Sequence, residues 1–175
     1  MPAPILVAYA SRTGSTAEVA EAIAAVLRNA GLEVDAVPMG TLHSIGERKT
    51  VIIGALIYMG GFPGVVHRFL SHNRAALATT PPWFFVLGPI EVKPEQFDTA
   101  RSQAEKQLAR YGWLKIAELQ IFGGRFDINR MPFPFSLARY LPAFPAKDIP
   151  PSDVRDWAAI CAWGASIHQP AQPVP

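Results

Sequence analysis

The chain has 175 residues, 50% hydrophobic and 17% charged, with 16 basic and 14 acidic side chains for a net charge of +2. That length supports one substantial core, the small net charge excludes the long-range positive field of a nucleic-acid binder, and a lone cysteine, Cys161, excludes an intrachain disulfide. No apolar run nears the roughly 18 residues of a membrane span and the N-terminus does not read as a signal peptide, so a cytoplasmic protein is expected.

Residues 5–10 (ILVAYA) form a short uninterrupted apolar run, suited to a central parallel strand buried on both faces. Ser11, Arg12, Thr13, Gly14, Ser15 and Thr16 follow, and five of these six can offer a hydroxyl or a nearly unobstructed N–H. They stand at a helix start, where unsatisfied N–H groups and the positive end of the dipole attract an anion. The turn reads as a mononucleotide phosphate cradle of mostly neutral donors; a helix start closed reciprocally by Ser15 and Glu18 is the other reading. From Gly14 the apolar positions Val19, Ile23, Val26, Leu27 and Ala30 recur at helical spacing, and Gly31 supplies the stop.

Residues 32–37 alternate in the manner of a half-exposed strand, residues 41–49 read as a polar loop with a helical turn, and residues 50–57 (TVIIGALI) are the strongest strand pattern in the chain. Past the loop 58–62, Pro63 opens a second helix with Val66, Phe69 and Leu70 inward. Residues 83–87 (WFFVL) are another buried strand, and Pro94 starts a third helix whose apolar face runs through Phe97, Ala100, Ala104, Leu108 and Tyr111 to Gly112. Residues 115–122 form the fifth strand. Ser152 caps a last helix with Val154, Trp157, Ala158, Cys161 and Ala165 on one face, and residues 168–175 are a Pro- and Gln-rich tail expected to be disordered.

Five strands alternating with four helices predict an α/β fold, a doubly wound five-stranded parallel sheet with helices on both faces, in one domain over residues 1–167. Ligands of such sheets lie beyond the C-terminal strand ends, which selects the loops 11–16, 58–62 and 88–93. The four histidines show no metal-ligand spacing, so no metal site is expected, and neither a Walker lysine nor a GxGxxG fingerprint is present.

The run Ser11 to Thr16 follows the phosphate-loop pattern of the flavodoxin superfamily, and the chain resembles that family over nearly its whole length. The resemblance implies the five-stranded flavodoxin fold and FMN, with the phosphate on the first loop and the isoalloxazine ring between the second and third. Within the superfamily, Gly54-Ala55-Leu56-Ile57 running to Gly60 and Phe62, Lys93-Pro94-Glu95, and Asp156-Trp157 are similar to the menaquinone-dependent protoporphyrinogen oxidases and their flavodoxin-domain relatives. The chain departs from those oxidases at Thr13, where they carry Asp, and at Tyr58, Met59 and Gly61, where an Arg, a Tyr and a His are usual. In the implied site Tyr58 stacks on a flavin face, with Met59 as the alternative contact. Gly60 and Gly61 let the backbone approach the ring edge, Gly88 and Pro89 reach the pyrimidine side, and Ile90 or Val92 provides an apolar wall.

Residues 123–151 exceed the minimal fold and combine aromatic and cationic side chains with six prolines. Arg125, Arg130, Phe133, Phe135 and Arg139 are the candidate substrate or partner residues, for a quinone, a porphyrin-like ligand, a membrane surface or an acidic protein. A folded cover with its Phe side chains inward is the plainer reading. The resulting expectation is an FMN-dependent oxidoreductase passing electrons between a hydrophobic or planar, protoporphyrinogen-like substrate and a quinone, in the cytoplasm or at the inner face of the membrane. No side chain is required as acid or base. The alternatives are an electron-transfer flavodoxin serving redox protein partners, against which a pI near 8.9 counts, and a non-redox binding protein on the same fold.

Overall fold

The computed structural model describes residues 5–130, Leu137, Tyr140 and 149–167. Five parallel strands, β1 (Ile5–Tyr9), β2 (Val34–Pro38), β3 (Thr50–Leu56), β4 (Trp83–Leu87) and β5 (Glu118–Phe122), form one sheet in the order β2-β1-β3-β4-β5. β1 is the hinge of this order: it pairs with β2 on one side (Val7↔Ala36) and with β3 on the other (Val7↔Ile52). Successive connections therefore run in opposite directions from β1, and a crevice opens between the C-terminal ends of β1 and β3.

Alternation along each strand divides the core in two. Leu6, Ala8, Val51, Ile53, Phe84, Val86 and Ile121 face one side with α2 (Gly64–His72), α3 (Arg74–Thr79) and α4 (Pro94–Leu108). Val7, Ile52, Phe85, Leu87 and Phe122 face the other with α1 (Ser15–Asn29) and α5 (Trp157–Ser166). Strands buried on both faces need continuous apolar sequence, as β3 and β4 have. Gly54 fits this close packing because a Cβ there would stand 2.2 Å from the Phe85 ring.

Three readings of the sequence change. α3 is an added short helix, separated from α2 by Asn73, whose buried amide accepts from Ile45 N–H and donates to the Phe69 carbonyl. Ser152 does not cap the last helix: with Asp153 it forms β7, antiparallel to β6 (Arg125–Phe126), and Asp156 is the cap, accepting from Ala159 N–H at 3.0 Å. The buried face of α5 is accordingly Ile160, Trp163 and Gly164, whereas Trp157 is 41% exposed and Ala158 and Ala165 face solvent. Among the described residues, no helix is long and apolar enough to cross a membrane.

Candidate functional site

The first loop folds onto itself at the end of β1. Gly14 takes φ +91°, a left-handed conformation that costs glycine little, and its N–H donates to Ser11 Oγ at 3.1 Å. No side chain caps α1. The reciprocal Ser15–Glu18 cap is thus absent, and the carboxylate it would have used is engaged elsewhere. Ser15 and Thr16 are buried in the first turn, at 2% and 1% exposure, and Thr16 Oγ1 has no hydrogen-bond partner. An orphaned buried hydroxyl costs about 1–3 kcal/mol, so this one awaits an acceptor. A phosphate at this helix start would provide one, and on this ground the residues present fit FMN.

Beneath the loop lies an ion cluster that sequence reasoning missed. Arg125 Nη1 contacts both Glu18 carboxylate oxygens, at 3.1 and 3.2 Å, and Nη2 donates to the Thr13 carbonyl at 3.2 Å. Arg155, with 3% of its side chain exposed, donates to Glu18 at 2.6 Å and grips Asp153 through Nε (2.8 Å) and Nη2 (2.5 Å). Its guanidinium also lies 4.6 Å from the centre of the Trp157 ring. Burial alone would raise the Glu18 carboxyl, but Arg155 and then Arg125 more than reverse it and leave it below its ordinary value. Asp153 is lowered chiefly by its hydrogen bond from Arg155, against burial. Two glycines seat the ribbon that carries these groups. A Cβ on Gly123 would meet the Val154 carbonyl oxygen at 2.0 Å, and Gly124 N–H donates to the Pro89 carbonyl at 2.6 Å.

The second loop is a miniature hairpin. Tyr58 and Gly61 exchange both backbone bonds (3.0 and 3.1 Å), with Met59 at φ +48° and Gly60 at φ +80° between them. These angles are those of a two-residue turn in which both central residues are left-handed. Gly60 therefore serves the turn itself and is tied to α4 by Gln107 at 3.4 Å, while Gly61 closes the turn without a left-handed backbone. In the third loop Gln96 Oε1 accepts from Ile90 N–H (2.9 Å) and Glu91 N–H (3.2 Å), and so fixes the backbone after Pro89.

These loops enclose a cleft at the β1–β3 crevice. Arg12 and Thr13 form one wall, Leu56, Ile57 and Tyr58 the second, Gly88 and Ile90 the third, and Gly124, Arg125, Phe126, Asp127 and Arg130 close it. The Arg12 guanidinium stands 5.8 Å from the centre of the Tyr58 ring, so the aromatic face is already covered by a cation. Of the expected ring contacts, Tyr58, Gly88 and Ile90 line this cleft, while Met59, Gly60 and Pro89 line an adjoining hollow against α4. Met59 is 89% and Val92 79% exposed, so Ile90 is the apolar wall. Arg125 and Arg130 reach the cleft; Phe133, Phe135 and Arg139 lie outside the described residues, as do most of the segment they belong to and the tail 168–175. Glu18 was read only as a local cap, Gln96 turns back onto the loop that leads into its own helix, and Arg155 gave no local signal because its partner Glu18 lies 137 positions earlier.

A family model described as a flavodoxin domain matches residues 6–134. A curated relative, protoporphyrinogen IX dehydrogenase [quinone] of Escherichia coli K12, is 27% identical over 114 residues, 62% of this chain and 61% of the relative. The chain therefore spans about 61% of the length of the curated relatives it matches. Among solved structures, oxidised Flavodoxin 1 from Bacillus cereus superposes with a TM-score of 0.55 at 17% identity, over 96% of this chain and all of that one. Oxidised Flavodoxin 2 from Bacillus cereus superposes with a TM-score of 0.54 at 25% identity, over 70% of this chain and 85% of that one.

Proposed function

This chain belongs to the flavodoxin domain family, and on that premise we propose that it binds FMN and works as a quinone-linked oxidoreductase. The observation that carries the cofactor is Thr16 Oγ1, buried without a partner in the first turn of α1, three residues after Thr13, which lines the cleft. Ser11, Thr13, Gly14, Ser15 and Thr16 hold the phosphate through hydroxyl and backbone donors. Leu56, Ile57, Tyr58, Ile90 and Phe126 keep water from the ring, and the Tyr58–Gly61 turn with the Gln96-fixed third loop holds its edge. When bound, FMN supplies hydride and single-electron transfer.

The enzyme reading is supported by the quinone in the name of the curated relative and by the mostly apolar cleft with Arg130 at its rim. Arg130, Phe133, Phe135 and Arg139 are the groups we assign to a planar or hydrophobic substrate, with the cytoplasm or the inner face of the membrane as the place of work. To test this, apoprotein is loaded with FMN, reduced anaerobically and mixed with a water-soluble quinone. Reoxidation of the bound flavin by the quinone is expected. Reoxidation by a redox protein but not by quinone would instead make it a carrier, and failure to take up FMN would defeat the redox reading.

A further inference from the structure

The first loop was expected to hold its ligand with neutral donors, yet the fold brings two arginines to it from residues far along the chain. They differ in one respect. Arg155 is buried to 3% and held on both edges, by Asp153 and by Glu18. Arg125, on β6 of the ribbon, is 15% exposed, lines the cleft, and touches Glu18 and the Thr13 carbonyl. Its Nη2 would stand only 3.8 Å from a Cβ placed on Gly14, the residue that opens α1.

Charge accounting separates the two roles. Glu18 and Asp153 are balanced by Arg125 and Arg155 in the protein alone. A phosphate monoester brings nearly two further negative charges to the head of α1, close to the Glu18 carboxylate in the same first turn. If Arg125 transfers to the phosphate, Glu18 keeps Arg155; if Arg155 were to transfer, it would abandon Asp153 as well. The orphaned Thr16 hydroxyl marks independently where an acceptor belongs.

Resting on the FMN reading above, we propose that Arg125 is the cation for the flavin phosphate, exchanging its Glu18 partner for the phosphate while Arg155 keeps Glu18 paired. Arg125 thereby makes the site selective for the phosphorylated flavin over its neutral alcohol. It belongs to cofactor binding and not, as the sequence suggests, to the substrate segment.

The test titrates FMN and riboflavin by fluorescence quenching into wild-type apoprotein, Arg125→Gln and Arg125→Lys, at two ionic strengths. Arg125→Gln should weaken FMN by about tenfold to a hundredfold while riboflavin changes by less than about twofold. Arg125→Lys should recover part of the loss, and the salt dependence of FMN binding should flatten in the Gln variant. The FMN-to-riboflavin ratio is insensitive to any fraction of misfolded variant, so lost stability alone cannot mimic this result. An equal loss for both flavins would make Arg125 a clamp for the ribbon only and overturn the proposal, as would no change for either. Wild-type protein that binds no FMN, or binds FMN and riboflavin alike, would overturn the FMN reading and this proposal together; a selective wild type with an unaffected Arg125→Gln overturns this proposal alone.

Discussion

The two sides of the cleft are built on opposite principles. Its α1 side, to which we assign the phosphate, is tied together across the chain: Glu18 in the first turn of α1 meets Arg125 and Arg155 from the ribbon beyond β5, and the partners are charged and partly buried. Its β3 side, to which we assign the flavin ring, is local, a two-residue turn whose tip, Met59, is 89% exposed, closed by bonds between Tyr58 and Gly61. Under that assignment, long-range ties would fix where an anion sits, and a short turn would leave the edge of a planar ligand adjustable. The contrast predicts that substitutions on the first side disturb stability and phosphate affinity together, whereas those on the second disturb neither much.

The largest effect is expected at Gly123. Its Cβ would collide with backbone, the Val154 carbonyl oxygen, and not with a side chain that could swing away. Gly123→Ala should therefore lose about 3 kcal/mol in urea unfolding and release the β6–β7 ribbon from the first loop. A loss below about 1 kcal/mol would mean that the ribbon is held elsewhere.

Next in size is the ion cluster. Arg155→Gln takes the ion pair from Asp153 and leaves Glu18 with Arg125 alone, and because both carboxylates are half exposed and can hydrate, the loss is about 2 kcal/mol at pH 7. The pH dependence has a definite sign. Glu18 and Asp153 are both lowered in the folded protein, so their contribution is full above the ordinary values of 4.5 and 3.8 and is lost as pH falls through the lowered ones. Urea midpoints of the wild type should drop on acidification below about pH 4.5, and the drop should be shallower in Arg155→Gln. Parallel acid limbs in the two proteins would count against the cluster.

The smallest effect belongs to the Tyr58–Gly61 turn. Met59 holds φ +48°, which Asn tolerates better, so Met59→Asn should raise stability by about 1 kcal/mol or less and leave FMN affinity within about twofold. A large loss of FMN binding would show that the Met59 side chain, and not the turn, holds the ring.

How much of this was legible in the sequence follows the same division. β1, the first loop and α1 could be read because strand, Gly-containing turn and amphipathic helix are contiguous, and the five-stranded parallel sheet was expected from strands alternating with helices, whereas spacing alone left its order β2-β1-β3-β4-β5 open. The start of α5 was misread because Ser152 and Asp156 obey the same capping preference, and only the β6–β7 ladder decides between them. The wrong start carried the wrong face with it, and so hid Ile160, Trp163, which packs on Phe85 and Phe122 of the sheet, and Gly164, which faces Ile23 of α1. Arg155 stands in a short polar stretch that resembles any surface turn; its role exists only once the chain places it beside a residue 137 positions earlier. The aromatic and cationic composition of residues 123–151 drew attention to this segment for a substrate, and among its described residues Arg125, at its start, reaches the first loop.

The central claim is that the head of α1 holds the phosphate of a mononucleotide flavin. Comparative titration of wild-type apoprotein with FMN and riboflavin measures that directly, because the two ligands share the ring and differ in the phosphate. The account predicts FMN tighter by at least about tenfold, the worth of one charge-assisted hydrogen bond. Equal affinity for the two, or preference for riboflavin, would contradict it.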